Sequence, residues 1–308
     1  MPLSTFQPDA YDALLADKVD TFRALLEPFN PPEPEVFPSP VSGFRQRAEF
    51  RLWHTGEQLD YVMFPPGDPR TPIPVNDFPI AAERIQAAMP PLRDALRGDS
   101  ELRRKVLQVE FLSTLSGELR TTLIYQRPLD EHWIAHAKPL EALLDTRLIG
   151  RSRKQRLVLS QDHVEEVLNV GGMSYRYRQP EQAFTQPNGR VNEAMIEWAC
   201  GCTGHTGPDL LELYCGIGNF TLPLARNFRH VLATEVSKTA IAAARHNRDI
   251  NGADNLQLAR LSAEEVAGAL TGSRAFRRLA DLSPSLEEHD FGAVFVDPPR
   301  AGLDSATE

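Results

Sequence analysis

The segment DLLELYCGIGNF, Asp209 to Phe220, holds the residues with the clearest capacity for chemistry. Leu210, Leu211 and Leu213 form an apolar run that leads into a glycine pair, Gly216 and Gly218, and helix-compatible residues follow to Asn227. Strand, tight turn and helix in that order let a ligand lie against the backbone: glycine has no Cβ to hold it off, and a helix N-terminus offers N–H groups without internal partners. The next apolar run, His230 to Thr234, ends in Glu235, and a carboxylate at that strand tip typically accepts hydrogen bonds from ribose hydroxyls. An adenosine-type ligand is implied. Only G-x-G is present, with Leu222 where a dinucleotide fingerprint has its third glycine, so the pattern favours a nucleoside carried on a methionine over a pyrophosphate.

These residues need a scaffold that brings strand ends together. From Asp209 onward strand and helix alternate: a strand to Tyr214, a helix Phe220 to Asn227, a strand to Thr234, a helix Lys238 to Asn251 and a strand Leu256 to Leu261. A short helix Ser262 to Leu270 follows, then a charged connection, then FGAVFV at Phe291 to Val296 and the tetrad Asp297, Pro298, Pro299, Arg300. Such alternation predicts an α/β, Rossmann-like doubly wound parallel sheet, whose ligands collect at the carboxyl ends of its strands. Tyr214, Gly216, Gly218, Asn219, Glu235 and Asp297 all fall at such ends. Upstream, QAFTQPNGRVNEAMIEWA at Gln182 to Ala199 reads as a bent loop entering a helix near Asn188; Gln186 there suits either a ligand contact or a loop-closing hydrogen bond.

The N-terminal part has a different pattern. Residues 9 to 28 show helical apolar spacing, NPPEPEVFPSP then breaks the helix, and GFRQRAEFRLW alternates with period two. Phe44, Ala48, Phe50 and Leu52 share one face; Arg45, Arg47, Glu49 and Arg51 share the other. Three arginines on a strand face suit a phosphate backbone, and equally an ordinary solvated face. Further strands at Leu59 to Phe64, Leu107 to Ser113 and Leu119 to Tyr125, with a helix Ala81 to Leu96, predict a small α+β domain. RSRKQR, Arg151 to Arg156, reads as a basic loop, and VEEVLNVGGMSYRYR as a hairpin turning at Gly171 and Gly172. In that hairpin Tyr175 and Tyr177 alternate with Arg176 and Arg178, a mix that suits base stacking or a plain sheet surface.

At 308 residues two domains are the natural expectation, divided near residue 178. The 33 basic and 42 acidic residues, for a net charge of −9, exclude a wholly basic nucleic-acid coat and leave room for a local basic patch. Cys200, Cys202 and Cys215 are an odd set without C-x-x-C spacing, so they build neither a disulfide framework nor a complete zinc or iron–sulfur site. The start lacks signal-peptide character and no apolar run reaches membrane-spanning length, so a reduced, cytoplasmic protein without membrane contact is expected.

Five segments carry a resemblance to a known family: FRQRAEFRLWH at Phe44 to His54, QAFTQPN at Gln182 to Asn188, LELYCGIGNFTLPLA at Leu211 to Ala225, VLATEVSKTAI at Val231 to Ile241 and FVDPPRAGLD at Phe295 to Asp304. In these the chain resembles the S-adenosylmethionine-dependent RNA 5-methyluridine methyltransferases. Ribosomal-RNA members often carry an N-terminal oligonucleotide-binding barrel and a cysteine-rich iron–sulfur site; neither is visible, which points to the tRNA-modifying branch. The resemblance implies S-adenosylmethionine as cofactor, held by Gln186, Tyr214, Gly216, Gly218, Asn219, Glu235 and Asp297 in residues 179–308. Residues 1–178 would then recognise the RNA through Arg45, Arg47 and Arg51. It implies tRNA, through its T-loop, as substrate, with tmRNA as a further partner and a monomeric protein.

In that family a cysteine thiolate adds to C6 of uracil, and the nucleophile lies on the strand after DPPRAGLD, with the proton-abstracting glutamate near the C-terminus. The sequence stops at Glu308, so the resemblance implies a C-terminally truncated member with no catalytic residue of its own. Cys215 sits inside the cofactor turn and does not match the attacking position. Competing readings are a ribosomal-RNA enzyme of the same family, an amino-methyltransferase, whose aromatic after two prolines is Arg300 here, and a non-catalytic RNA-binding or tRNA-folding factor.

Overall fold

The computed structural model describes residues 6–273, 276–280, 282–300 and 302–303; Ala301 and Asp304 of DPPRAGLD lie outside them. The chain divides into two compact units, Met1–Val164 with Pro187–Val191, and Glu165–Gln186 with Asn192–Glu308. The division thus falls at Val164 and not at residue 178. The reason is a hydrogen-bond ladder inside the second unit: the backbone N–H groups of Arg176 and Arg178 donate to the Asn251 and Asn247 side chains at 2.9 and 2.8 Å.

The first unit begins with helix α1 (Tyr11–Leu26). Its strands are β1 (Arg47–Thr55), β2 (Gln58–Met63), β3 (Ile73–Pro74), β4 (Val106–Ser113), β5 (Leu119–Tyr125), β6 (Arg147–Ser152) and β7 (Gln155–Val158). Together they form one seven-stranded sheet in the order β3-β2-β1-β4-β5-β6-β7. Helices α2 (Glu83–Gly98), α3 (Ser100–Arg103) and α4 (Glu131–Leu144) complete it. Neighbouring strands pair antiparallel except β5 and β6, which are parallel. A parallel pair requires a crossover, and α4 supplies it.

The alternation along β1 is realised: Ala48, Phe50 and Leu52 are buried, whereas Glu49, Arg51 and Trp53 are exposed. Phe50 packs edge-on to Phe78 at 5.1 Å between ring centroids and lies 5.4 Å from Tyr61, inside a core that α2 and α4 cover. Helix α4 has no counterpart in the reading of the sequence, although Asp130 caps it through the His132 and Trp133 N–H groups and Trp133, Ala137, Leu140 and Leu144 line one face. The Arg151–Arg156 cluster is not a loop either; it spans the end of β6, a tight turn and the start of β7, because Ile149 to Ser152 pair with Gln155 to Val158.

The second unit contains, from Glu165 onward, the hairpin β8 (His163–Val170) and β9 (Met173–Pro180), turning at Gly171 and Gly172 as expected. Helix α5 (Gly189–Thr203) follows. A four-stranded parallel sheet then forms from β10 (Asp209–Leu213), β11 (His230–Thr234), β12 (Leu256–Ala259) and β13 (Phe291–Val296), in the order β12-β11-β10-β13. Its helices are α6 (Thr221–Leu224), α7 (Lys238–Asn251) and α8 (Ala263–Leu270), the last opened by a Ser262 and Glu265 capping box. The chain leaves β10 on one side for β11 and β12 and returns on the other as β13, the reversal at which doubly wound sheets bind ligands. Every residue of β10 is buried, as a central parallel strand requires. Asp209 at its start accepts from both Nε and Nη2 of Arg229, at 3.1 and 2.9 Å, and from the Asp290 N–H at 2.8 Å, which ties the lower ends of β11 and β13 to β10.

The sequence predicted a helix from Phe220 to Asn227. The structure has a single turn, Thr221–Leu224, followed by a 3₁₀ turn at Ala225–Asn227. Pro223 has no N–H to give, and Asn255 takes the Ala225 and Phe228 carbonyls that a longer helix would have used internally. Among the described residues no helix is long and apolar enough to cross a membrane.

Strand β6 passes closest to α4 at Gly150, where a Cβ would lie 2.7 Å from Cζ2 of Trp133 and 2.8 Å from Cδ1 of Leu129. Trp133 is fully buried and has no room to move. Gly150→Ala is expected to destabilise the protein by about 1–3 kcal/mol, the usual cost of overpacking a dense core. A urea titration checks this as a lower midpoint at unchanged slope.

Candidate functional site

Parallel register decides what meets at the upper end of the second sheet. Leu213 pairs with Thr234 of β11 and with Val296 of β13, so the three strands stop level with one another. Each is followed by one polar residue: Tyr214, Glu235 and Asp297. Adjacent strands run about 4.8 Å apart, so these residues stand in a row roughly 10 Å across. The Gly216 bend and the Asp297 carboxylate therefore belong to the same end of the sheet.

The turn after β10 is tightly wound. Tyr214 takes a left-handed conformation at φ +60°, uncommon for a residue with a side chain, and Gly216 and Gly218 continue at φ +57° and +90°. A Cβ at Gly216 would meet nothing within 4 Å, which leaves that face of the turn open. Glu235 is fixed from two sides: its Oε2 accepts from the Gly216 N–H at 3.1 Å and its Oε1 from the Ser237 N–H at 2.7 Å. The Gly218 N–H donates to the Cys215 carbonyl at 2.9 Å. The N–H groups of both glycines are thus engaged within the turn. A carboxylate one residue beyond β11 is within reach of the turn beyond β10, and part-buried amides do not stay unpaired.

Gln186 joins this row from the loop before α5, where its Nε2 donates to Oδ2 of Asp297 at 3.3 Å. Partial burial raises the Asp297 carboxyl above the usual carboxylate range, and the hydrogen bond from Gln186 works against that rise. Asn219 is drawn inward: its side chain exchanges two 2.8 Å hydrogen bonds with Asn192, and its carbonyl accepts from the Tyr177 hydroxyl at 3.0 Å.

Tyr177 is consequently a support of the glycine turn and not a stacking platform. It is 1% exposed, and Tyr175 is buried beside it. Asn247, fully buried on α7, completes the support by donating to the Ile217 carbonyl at 2.9 Å while accepting the Arg178 N–H. The hairpin's alternation marked a half-buried sheet, but which half it buried was decided by α7.

Glu212 is the site residue that the sequence reading passed over. It is 2% exposed on β10, and its Oε2 has no hydrogen-bond partner among the described residues. Burial pushes its carboxyl up to about 8, with the Thr221 hydroxyl working against this and the Asp297 charge adding to it. The signal was present in LLEL, a lone acid within an apolar strand. Cys215 is 4% exposed and burial raises its thiol well above the ordinary value, the opposite of an activated nucleophile. Burial raises Cys200 as well. Among the described residues no group of three His, Cys, Asp or Glu side chains is arranged to hold a metal ion.

In the first unit the three arginines differ. Arg45 precedes β1, bridging to Ala81 and Asn188; it is half-buried, and desolvation lowers its guanidinium below the ordinary value. Arg47 pairs with Glu49 at 3.1 Å. Arg51 is exposed and has no ion-pair partner among the described residues.

Comparison with known proteins adds to this geometry. The model of the family described as tRNA (Uracil-5-)-methyltransferase matches residues 10–308. A tRNA/tmRNA (uracil-C(5))-methyltransferase of Ectopseudomonas mendocina (strain ymp) is 56% identical over 307 residues, covering 100% of this chain and 84% of that protein. One of the same description from Azotobacter vinelandii (strain DJ / ATCC BAA-1303) is 55% identical over 307 residues, with the same coverage of 100% and 84%. Among solved structures, Pyrococcus abyssi tRNA (uracil-54, C5)-methyltransferase in complex with S-adenosyl-L-homocysteine is similar in fold, with a TM-score of 0.69 and 18% identity over 96% of this chain and 69% of that one.

The Glu212 carboxyl has a pH consequence. Its value rises from 4.5 to about 8 on folding, so the folded state binds the proton more tightly between those limits. Its contribution to stability is complete below pH 4.5 and is lost as pH rises toward 8. Glu212→Gln is expected to flatten the decline of stability across that window, as measured by denaturant midpoints at a series of pH values.

Proposed function

The chain belongs to the tRNA (uracil-5-)-methyltransferase family, and from that premise we propose that it binds S-adenosylmethionine at the strand tips of its second unit and serves the methylation of C5 of a tRNA uridine. The uridine is that of the T-loop, and tmRNA is a second substrate. The observation that carries the reading is the level ending of β11, β10 and β13, with Glu235, Tyr214 and Asp297 each one residue beyond.

The residues at this end fit the cofactor. The open face at Gly216 leaves space against the backbone, and carboxylates stand at both ends of the row for a ligand that carries ribose hydroxyls and a cationic centre. Glu235, already oriented by Gly216 and Ser237, keeps further lone pairs for the ribose hydroxyls. Tyr214 and the turn from Gly216 to Asn219 hold the methionine portion, and the Gln186 and Asp297 pair borders the space between the methyl group and the target base. When bound, the cofactor supplies an electrophilic methyl group on a sulfonium.

C5 of uracil is a poor nucleophile. In the family's chemistry a cysteine thiolate adds to C6, so that C5 gains the electron density to take a methyl group; a base then removes the C5 proton, the C6–S bond breaks and the thiolate leaves. The base must be flipped out of its stack to reach such a pocket. Cys215 is buried under the turn and Cys200 and Cys202 lie at the end of α5, so none of these three provides the thiolate. Arg45, Arg47 and Arg51 contact the RNA backbone from the first unit.

Three outcomes test this. Glu235→Ala is expected to weaken S-adenosylmethionine binding roughly tenfold or more by calorimetry, the scale of a lost charge-assisted hydrogen bond. The 308-residue chain, incubated with unmodified tRNA and labelled S-adenosylmethionine, is expected to bind the cofactor and form no ribothymidine. Ribothymidine in that assay would put the nucleophile within these residues. The Arg45, Arg47 and Arg51 triple alanine variant is expected to lose tRNA binding and keep cofactor binding; unchanged tRNA binding would return the arginines to an ordinary solvated face.

A further inference from the structure

The outer face of β1 continues beyond the arginines into an apolar groove of about 540 Å³, lined in part by Arg51, Trp53, Phe64, Pro69 and Leu107. We propose that this groove binds one unstacked nucleotide of the substrate RNA other than the uridine that is methylated, with its base on Trp53 and Phe64 and its phosphate on Arg51. This rests on the reading of the first unit as the RNA-binding part.

Trp53 is 42% exposed, an unusual position for so large an apolar surface, and Phe64 stands against it nearly edge-on, with ring centroids 6.1 Å apart and planes at 69°. An exposed indole braced by a second ring keeps one face for stacking, and any base has a π-face to offer. Strand alternation sets Arg51 and Trp53 on the same face of β1, two residues and about 7 Å apart, the reach from a base to the phosphate of its own nucleotide.

Charge selects among possible occupants. Asp60, opposite Trp53 in the β1–β2 register, is neutralised by Arg97 at 2.6 Å, and Arg104 and Arg127 are committed to Glu101 at 3.1 and 2.5 Å. Around the groove, Arg51, Arg70 next to Pro69 and Lys105 shortly before Leu107 have no ion-pair partner among the described residues. His54 is turned to the backbone, its Nε2 2.8 Å from the Val106 carbonyl oxygen. Asp68 is the acid beside Pro69, and it is occupied by the Arg70 N–H at 2.9 Å. An apolar floor bordered by Arg51, which has no ion-pair partner among the described residues, matches a base with its phosphate. A second copy of the chain would bring the same cations against themselves across a two-fold axis.

Stacking and phosphate contact respond differently to salt, which separates this proposal from the arginine reading. Affinity of the full 308-residue chain for a labelled unmodified tRNA is measured by fluorescence anisotropy across a potassium chloride series. Trp53→Ala is expected to weaken binding roughly 5- to 100-fold with an unchanged slope of log affinity against log salt, because a lost stack releases no counterions. Trp53→Phe restores most of the loss, and S-adenosylmethionine binding stays at the unsubstituted level in both, which reports intact folding. Arg51→Ala is expected to lower the salt slope by about one. If Trp53→Ala binds tRNA as tightly as the unsubstituted chain while the triple arginine variant does not, the groove proposal fails and the arginine reading stands. If both bind normally, both fail. Sedimentation showing a dimer that Trp53→Ala dissociates would make the groove a self-interface and overturn the proposal.

Discussion

The second unit depends on one constraint, the register of three parallel strands. Because Leu213 is level with both Thr234 and Val296, the first residue past each strand reaches the same edge, and three residues far apart in sequence become neighbours. The lower end is held as firmly: Asp209 gathers Arg229 and the Asp290 N–H around the start of β10. Burial works to raise that carboxyl, yet Arg229 and the Asp290 N–H outweigh it and hold it below the usual range. It is thus charged at neutral pH and fixes the sheet's lower edge.

A turn as tight as Cys215 to Asn219 would not keep its shape on glycine alone, since glycine also gives the unfolded chain the most freedom to lose. Side chains around it restrain the backbone. Asn247 holds the Ile217 carbonyl, Tyr177 holds the Asn219 carbonyl, Asn192 holds the Asn219 side chain, and Glu235 holds the Gly216 N–H. Two of these come from outside the strand and helix alternation, Tyr177 from the β8 and β9 hairpin and Asn192 from α5. The hairpin, which adds no strand to the parallel sheet, is accordingly a brace for the turn. Three of these four supports, Asn247, Tyr177 and Asn192, are buried, whereas Glu235 is half-buried.

The first unit works by a simpler division. Period-two alternation along β1 sends Ala48, Phe50 and Leu52 into an aromatic core and Arg51 and Trp53 outward. One strand therefore anchors the domain and displays its cations. Arg47 is tempered by Glu49, whereas Arg51 is not paired among the described residues, so identical side chains on one face are not equivalent.

In the second unit the sequence alone determined the alternation of strand and helix and the ends of β10, β11 and β13. Each apolar run gives way to a polar residue at its end, which marked Tyr214, Glu235 and Asp297, and in the structure each stands one residue beyond its strand. The GG hairpin, the two-faced β1 and the short α8 were legible for the same reason, because each is a local balance of apolar period and turn chemistry. Partnership was not legible. LLEL marks a lone acid but not how strongly burial raises its carboxyl, nothing in SYRYR says which alternate residue is buried, and a longer α6 was expected because Asn255 lies well downstream of the carbonyls it takes. Local sequence fixes backbone preference within a few residues; desolvation and hydrogen-bond ownership depend on what packs opposite, and only the tertiary structure supplies that.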